Sequence, residues 1–516
     1  MTSAIMTKYI IPSASISAFI SSYFGIEYFN REKKLESINE AVDCLNENKR
    51  VDEAVDYILR SDYDTASSSI PRLSTRSIGA LAGHGWPLAG NVPIRRFQMD
   101  EDDLCFEKLL EKFDLGEDFR AALDWLNRVP CNEDELGCTD SWFGRRPSQT
   151  ARLHRILQVL FLKTEKPGMI PRLDDAVIQF LYAMYSTYIS ENRDIGLLAL
   201  KTLANVALLD PSYASAILQS DWLPLLSNMV VNGKTLDERL QSHKIFRNCL
   251  FSLGLIDYSL RSDVYEVHLS ATPPVVDVVL IHGLRGSVSY TWRQKDSKKK
   301  MMSECWPKDW LPLDISEPIR IIGLEYPSYL IQFTGTMESL QVRANRFADQ
   351  LRAAGVGKRP VVFICHSMGG LLAKKLLLDM PDLLKQTVGI LFIATPHKGS
   401  PIASSLSYEI LYPSEDVRLL RTTNETNKKL DIDFEAIHDS IPVIASMIET
   451  KESNIIGTKG IVVPRDSAVY SKGSLYHIEE VHHNVCKPSE RSSPVYGVVL
   501  NFLRDSIMEA KKKCKQ

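Results

Sequence analysis

Hydrophobic and polar positions divide the chain into two halves with different periods. From about residue 100 to 260 apolar residues recur at three- and four-residue steps, which predicts helices throughout. Val177, Phe180, Leu181, Met184 and Tyr185 form one stripe. Ile195, Leu198, Ala199, Leu203 and Val206 form a second, stopped by Asp210-Pro211-Ser212. Ile217, Leu218, Leu225 and Leu226 follow, then Ile245, Leu250, Phe251 and Leu253. Stacked apolar helices with short turns suggest an armadillo-like solenoid, although no strict period is visible. An irregular helical bundle is the plainer alternative. Either way this half offers surface, not chemistry.

Beyond a linker at 262–274, short continuous apolar runs replace the helical stripes. Val275–Ile281, Pro318–Leu324, Val361–Ile364, Val388–Ile393 and Pro442–Ile448 read as buried strands. Helical segments at Leu340–Ala354 and Leu371–Leu378 alternate with them, so the pattern predicts an α/β doubly wound, mostly parallel sheet. Residues 400–440 read as helical and stand where hydrolases insert a cap. The predicted organisation is therefore a segment 1–30, a helix and linker over 31–99, a helical domain over 100–262 and a sheet domain over 275–510.

The start of the chain has its own patterning. Tyr9–Ile26 runs 18 residues without a charge, at the short limit for a membrane span. Its five serines and Pro12 suit equally a weak anchor, an organelle-targeting segment, an interfacial helix or a buried first helix. Leu35, Ile38, Val42 and Leu45, then Val51, Val55 and Ile58, make two short helical stripes. Residues 61–95, rich in Ser, Gly and Pro, read as a linker or wrapping segment.

Composition narrows the class. At 516 residues, 44% hydrophobic and 24% charged, the chain is globular and long enough for two or three domains. A formal net charge of −3 provides no basic field to collect phosphates, which argues against a nucleic-acid partner. Nine scattered cysteines include no C-x-x-C pair, so neither a zinc site nor a strongly oxidising compartment is expected. The basic run Arg293–Lys300 reads as a solvated loop, with contact to anionic lipid as its alternative.

Chemistry concentrates at VVFICHSMGG, residues 361–370: a buried strand, a tight turn through Ser367, then a helix. This is the pattern of a nucleophile elbow, His366-Ser367-Met368-Gly369-Gly370, with Cys365 in place of the usual first glycine. Upstream, strand 275–281 ends in His282-Gly283-Leu284, as in the oxyanion loop of many lipases. The amides of Leu284 and Met368 are the expected oxyanion donors. The base must follow the serine in chain order, and His482 in LYHIEEVHHNVC is better placed than His483. His397 reads as structural. The acid is sought after strand 442–448. Where many lipases have D-G-x-V-P this chain has Thr458–Pro464 (TKGIVVP), so Asp466 is taken as the acid and Glu449, at the strand's end, as its competitor.

Five segments in order, HGLRGSVSYTW, the HSMGG elbow with its helix, ATPHKGSP, VVPRDSA and HHNVCKP, resemble the serine-active-site-containing lipase-like proteins, which are related to GPI inositol-deacylases. The resemblance covers about 275–505, and the helical region and hydrophobic N-terminus are similar too. It implies an α/β-hydrolase fold with Ser367 as nucleophile, His482 as base and an acidic residue at Asp466. It further implies phospholipid acyl remodelling, especially of phosphatidylglycerol, linked to mitochondrial function and intracellular cholesterol trafficking. The implied location is the mitochondrion, the endoplasmic reticulum or their contacts, at a membrane. A phospholipid and the membrane surface are the expected partners, with a protein partner for the helical domain and no cofactor or metal. The alternatives are a thioesterase or protein deacylase, and a hydrolase-fold scaffold whose catalysis has lapsed.

Overall fold

The computed structural model describes residues 37–46, 50–61, 72, 73, 77, 81, 149–165, 176–294, 304–330, 338–409, 413–455 and 458–513. The hydrophobic N-terminal stretch 9–26, most of the linker 61–95, residues 100–148 and most of the basic run 293–300 lie outside them. Among the described residues no helix is long and apolar enough to cross a membrane.

The helical half contains α1 (Val51–Arg60), α2 (Gln149–Thr164), α3 (Ala176–Tyr188), α4 (Arg193–Val206), α5 (Pro211–Leu218), α6 (Trp222–Asn232) and α7 (Leu236–Ser252). The predicted stripes form its core: Val177, Leu181, Ile195, Ala199, Leu203, Val206, Ile217, Leu226, Ile245 and Leu250 are buried together. Ile38, Val42, Leu45, Val55 and Ile58 join the same core. Phe251 does not, being 39% exposed. The Asp210 side chain accepts the Ser212 N–H at 2.8 Å and so caps α5, which explains the helix break there. Helix α4 packs on α2 and α3, and α7 packs on α4, α5 and α6. Helices α3 to α7, 8 to 17 residues long, are joined by turns of three or four residues.

The second half is a seven-stranded sheet built from β1 (Val264–Leu269), β2 (Val276–Ile281), β3 (Ile319–Leu324), β4 (Val361–His366), β5 (Thr387–Ile393), β6 (Val443–Glu449) and, after a two-stranded hairpin of β7 (Ser453–Ile455) and β8 (Thr458–Gly460), β9 (Ser474–Ile478). Their order is β1-β3-β2-β4-β5-β6-β9, parallel throughout except for β1. Helices α8 (Leu340–Ala353), α9 (Gly369–Asp379), α10 (Glu425–Glu435) and α11 (Pro494–Lys513) cover the sheet. All five predicted strands are present, and β2–β5 are buried along their whole length because both faces are covered.

One expectation fails here. The stretch read as a linker, 262–274, contains β1, an antiparallel edge strand. Its Glu266 and His268 interrupt the apolar run, but the first of these meets protein rather than solvent. Glu266 accepts from His243 Nε2 at 2.8 Å and from the Tyr258 hydroxyl at 2.7 Å, and lies 3.3 Å from Arg247 Nε. Burial alone would raise its pKa, yet Arg247 and His243 outweigh burial and hold the carboxyl well below the usual range. Helix α7 supplies these partners, and it is buried even at Gln241, Ser242, Lys244 and Asn248 because it lies between the helical core and the sheet edge. Covering an edge strand in this way removes a pairing template.

The single charge inside β2 is satisfied similarly. Asp277 accepts from Arg320 Nε and a second Arg320 nitrogen, each at 2.8 Å, and from Arg359 at 2.7 Å. Asp277→Ala leaves two guanidinium groups facing an apolar gap. We expect a loss of about 3–5 kcal/mol, the usual cost of breaking a buried pair from one side, read as a lower urea midpoint of the sheet domain's transition.

Candidate active site

Strand β4 delivers Ser367 to the carboxyl edge of the sheet. The serine has φ +54°, a left-handed conformation that costs a non-glycine residue about 1–3 kcal/mol. Surroundings hold it there. Its N–H donates to Ile393 O at 2.8 Å, and Gly370 N–H closes the turn onto Ser367 O at 3.0 Å. The turn sits against its neighbours with no room to spare. A Cβ on Gly369 would fall 2.5 Å from His282 O, one on Gly370 would strike the Thr395 side chain, and one on Gly283 would lie 2.6 Å from Ser367 Cβ. Cys365 avoids this crowding because its side chain belongs to the apolar core, fully buried.

His482 meets the serine. Its Nε2 lies 3.0 Å from Ser367 Oγ, and its Nδ1 lies 2.5 Å from Glu449 Oε2. A carboxylate only accepts, so Nδ1 carries the proton and Nε2 presents its lone pair to the hydroxyl. The other oxygen of Glu449 accepts the amides of Val462 and Val463, at 2.7 and 3.0 Å. Buried at the end of β6, this carboxylate has both oxygens hydrogen-bonded and its orientation fixed. His366 steadies the histidine loop: its Nε2 lies 3.0 Å from His482 O, which requires it to be the donor. Burial and the neighbouring His482 keep the pKa of His366 well below its usual value.

The acid is thus a correction. Glu449, not Asp466, reaches His482. Asp466 is exposed on the single turn Arg465–Ala468 and lines a different cavity with Lys398, Asp431 and Glu435. The sequence Val462-Val463-Pro464 does serve the acid, but through its amides rather than by carrying the carboxylate. A charged residue ending an apolar strand at the sheet's carboxyl edge was the signal that favoured Glu449. His483 lines the cavity above the serine, while His397 is buried between Phe392 and Tyr470.

The loop after β2 closes the other side. His282 is buried and its pKa is pushed down to about 4, chiefly by loss of solvation. Its Nε2 accepts the Tyr326 N–H at 3.3 Å, so Nδ1–H donates to Gly283 O at 2.9 Å. Stacked on the Tyr326 ring, with centroids 4.1 Å apart, it fixes the turn that carries Leu284. Among the described residues neither the Leu284 nor the Met368 N–H has a protein acceptor. The latter stands where a helix N-terminus leaves amides free.

Above Ser367 opens a cavity of about 520 Å³. Leu330, Ile402, Val417, Leu420, Ile455 and Val462 give it apolar walls, and Arg285 and Lys487 give it positive charge. Lys487 Nζ sits 3.9 Å from the centre of the Tyr290 ring.

A family model described as a PGAP1-like alpha/beta domain matches residues 329–452. Protein SERAC1 of Bos taurus is 31% identical over 397 residues, which is 71% of this chain and 59% of that protein. The Homo sapiens protein is 32% identical over the same length. Over that length the chain is similar to SERAC1, and its sheet has the α/β-hydrolase arrangement. The chain spans less than two thirds of the length of those relatives. The mature lipase BlEst2 of Bacillus licheniformis shares 16% identity, over 44% of this chain and 93% of that one, with a TM-score of 0.33. The SERAC1 matches and the PGAP1-like family model bear out the resemblance read from the motifs.

The two carboxylates are separable by rate. Glu449→Gln should slow fluorophosphonate labelling of the folded chain by about 10²–10⁴, the scale on which a triad acid acts. Asp466→Asn should label at the unaltered rate. The reverse order would return the acid to Asp466.

Proposed function

We propose that the chain is a serine hydrolase or acyltransferase acting on acyl esters of phospholipids. The observation that carries this reading is the hydrogen-bonded series Ser367–His482–Glu449, 3.0 and 2.5 Å per link, on a serine held at an elbow. As Ser367 Oγ attacks an ester carbonyl, His482 Nε2 takes its proton, and Glu449 stabilises the resulting imidazolium without itself being protonated. The Leu284 and Met368 amides receive the oxyanion. His482 returns the proton to the leaving alkoxide, leaving an acyl-serine. Water or a lipid hydroxyl, deprotonated by the same nitrogen, then releases the acyl group. Hydrolysis and transfer differ only in that last acceptor.

The cavity supports a lipid: apolar walls suit an acyl chain, and Arg285 and Lys487 suit an anionic headgroup. Phosphatidylglycerol, named by the motif resemblance, has both features. The relationship to SERAC1 and the PGAP1-like domain support lipid chemistry; a link to mitochondrial function and cholesterol trafficking rests on the motif resemblance alone. Membrane association through residues 9–26, at mitochondria or the endoplasmic reticulum, and a protein partner on the helical region complete the proposal.

Vesicles of phosphatidylglycerol and of phosphatidylcholine, each with one radiolabelled acyl chain, test the reading. We expect labelled fatty acid or a re-acylated lipid from the anionic vesicles, lost in Ser367→Ala. Equal turnover of both lipids would remove the headgroup assignment. Release from acyl-thioesters with no turnover of either lipid would favour a thioesterase.

A further inference from the structure

The oxyanion loop is built on the segment that continues β3. Tyr326 N–H donates to His282, Arg285 N–H donates to Ser328 Oγ at 2.9 Å, and Ser328 Oγ lies 3.4 Å from Gly283 O. These contacts hold the inner turn, where Leu284 stands. The outer turn is held by Glu325, whose Oε2 accepts the Val288 N–H at 2.7 Å. Beside it the Val288 side chain lies flat on β3, where a Cβ on Gly323 would come within 2.7 Å of it. The other carboxylate oxygen is 4.0 Å from His282 Nε2. One side chain therefore holds the outer turn and stands beside the histidine that fixes the inner one.

Glu325 also faces the helical region. It lines a cavity of about 110 Å³ together with Lys201 of α4, Asp237 and Gln241 of α7, Tyr265 of β1 and Ser289 of the loop. Gln241 is 2% exposed; its Nε2 donates to the Tyr265 hydroxyl at 2.6 Å, and among the described residues its Oε1 has no partner. A polar cavity of that size has room for a few waters. The helical region and the oxyanion loop thus share one polar compartment.

We propose that Glu325 is a positioning residue for the oxyanion loop, and that the helical region adjusts the loop through it. This rests on the reading of Ser367 as the nucleophile. A carboxylate accepts from a backbone amide more strongly when ionised, so the hold on Val288 follows the charge on Glu325. Burial pushes its pKa up to about 7, while the Val288 amide, Lys201 and Lys244 oppose burial and Asp237 adds to it. His282, kept neutral, Tyr265 and Tyr326 are further titratable groups around it among the described residues. Near neutrality both forms are populated. Movement of α4 that withdraws Lys201 favours the protonated form and slackens the outer turn.

The test uses the full chain and a short water-soluble ester, with active serines counted by fluorophosphonate titration. Removing an oxyanion donor costs about 10²–10³ in kcat, and displacing one should cost less, about tenfold. Glu325→Ala should lower kcat per titrated serine by that amount with KM unmoved, and Glu325→Gln, which can accept the Val288 amide without the charge, should fall between that variant and the unaltered chain. The unaltered chain should gain kcat as pH rises through about 7, a step that Glu325→Gln abolishes. Lys201→Gln should move the step to higher pH, because a lost cation favours the protonated acid. Unchanged kcat per titrated serine in Glu325→Ala overturns the inference. If that variant does not fold, a step left in place in both Glu325→Gln and Lys201→Gln overturns it. An unaltered chain that is never labelled sinks the hydrolase reading instead, and the inference with it.

Discussion

Everything at the site depends on Ser367 being held in a backbone conformation that a serine does not choose. A φ of +54° lifts the hydroxyl clear of the sheet, and only close packing keeps it there. Gly283, Gly369 and Gly370 allow that packing by having no side chain where His282 O, Thr395 and Ser367 Cβ approach. The same closeness joins the two halves of the site. The loop after β2 must lie against the elbow for its amide to share an oxyanion with the amide of Met368. Neighbouring parallel strands β2 and β4 guarantee that proximity.

A second constraint sets the base. Parallel pairing of β6 with β9 brings the end of one strand beside the start of the loop that carries His482. Glu449 is the last residue of β6, so its carboxylate is fixed by the sheet, and the amides of Val462 and Val463 fix its rotation. His366, one residue before the nucleophile, returns a hydrogen bond to the carbonyl of His482. Nucleophile, base and acid are therefore positioned by three strands and one another, not by flexible side chains alone.

Much of this was legible beforehand. Apolar runs named the five central strands because a doubly covered strand leaves no polar alternative, and strict local geometry made the elbow readable despite Cys365. His482 followed from chain order. The acid was misassigned because the loop signature near Val463-Pro464 and the carboxylate it serves are separated in sequence and joined only by strand pairing. Edge strand β1 was missed for a related reason. Its buried Glu266 looks solvent-directed until α7 supplies His243 and Arg247, partners that a local pattern cannot reveal.

The central claim is that Ser367 becomes acylated during turnover. The direct measurement is mass analysis of the full chain quenched with acid while it consumes a slow acyl ester, followed by peptide mapping. The account predicts one acyl mass on the peptide containing Ser367, accumulating further in Glu449→Gln if deacylation slows more than acylation, and absent in Ser367→Ala. A folded chain that turns over the ester with no acyl mass on that peptide, or with the mass on a cysteine such as Cys486, would contradict it.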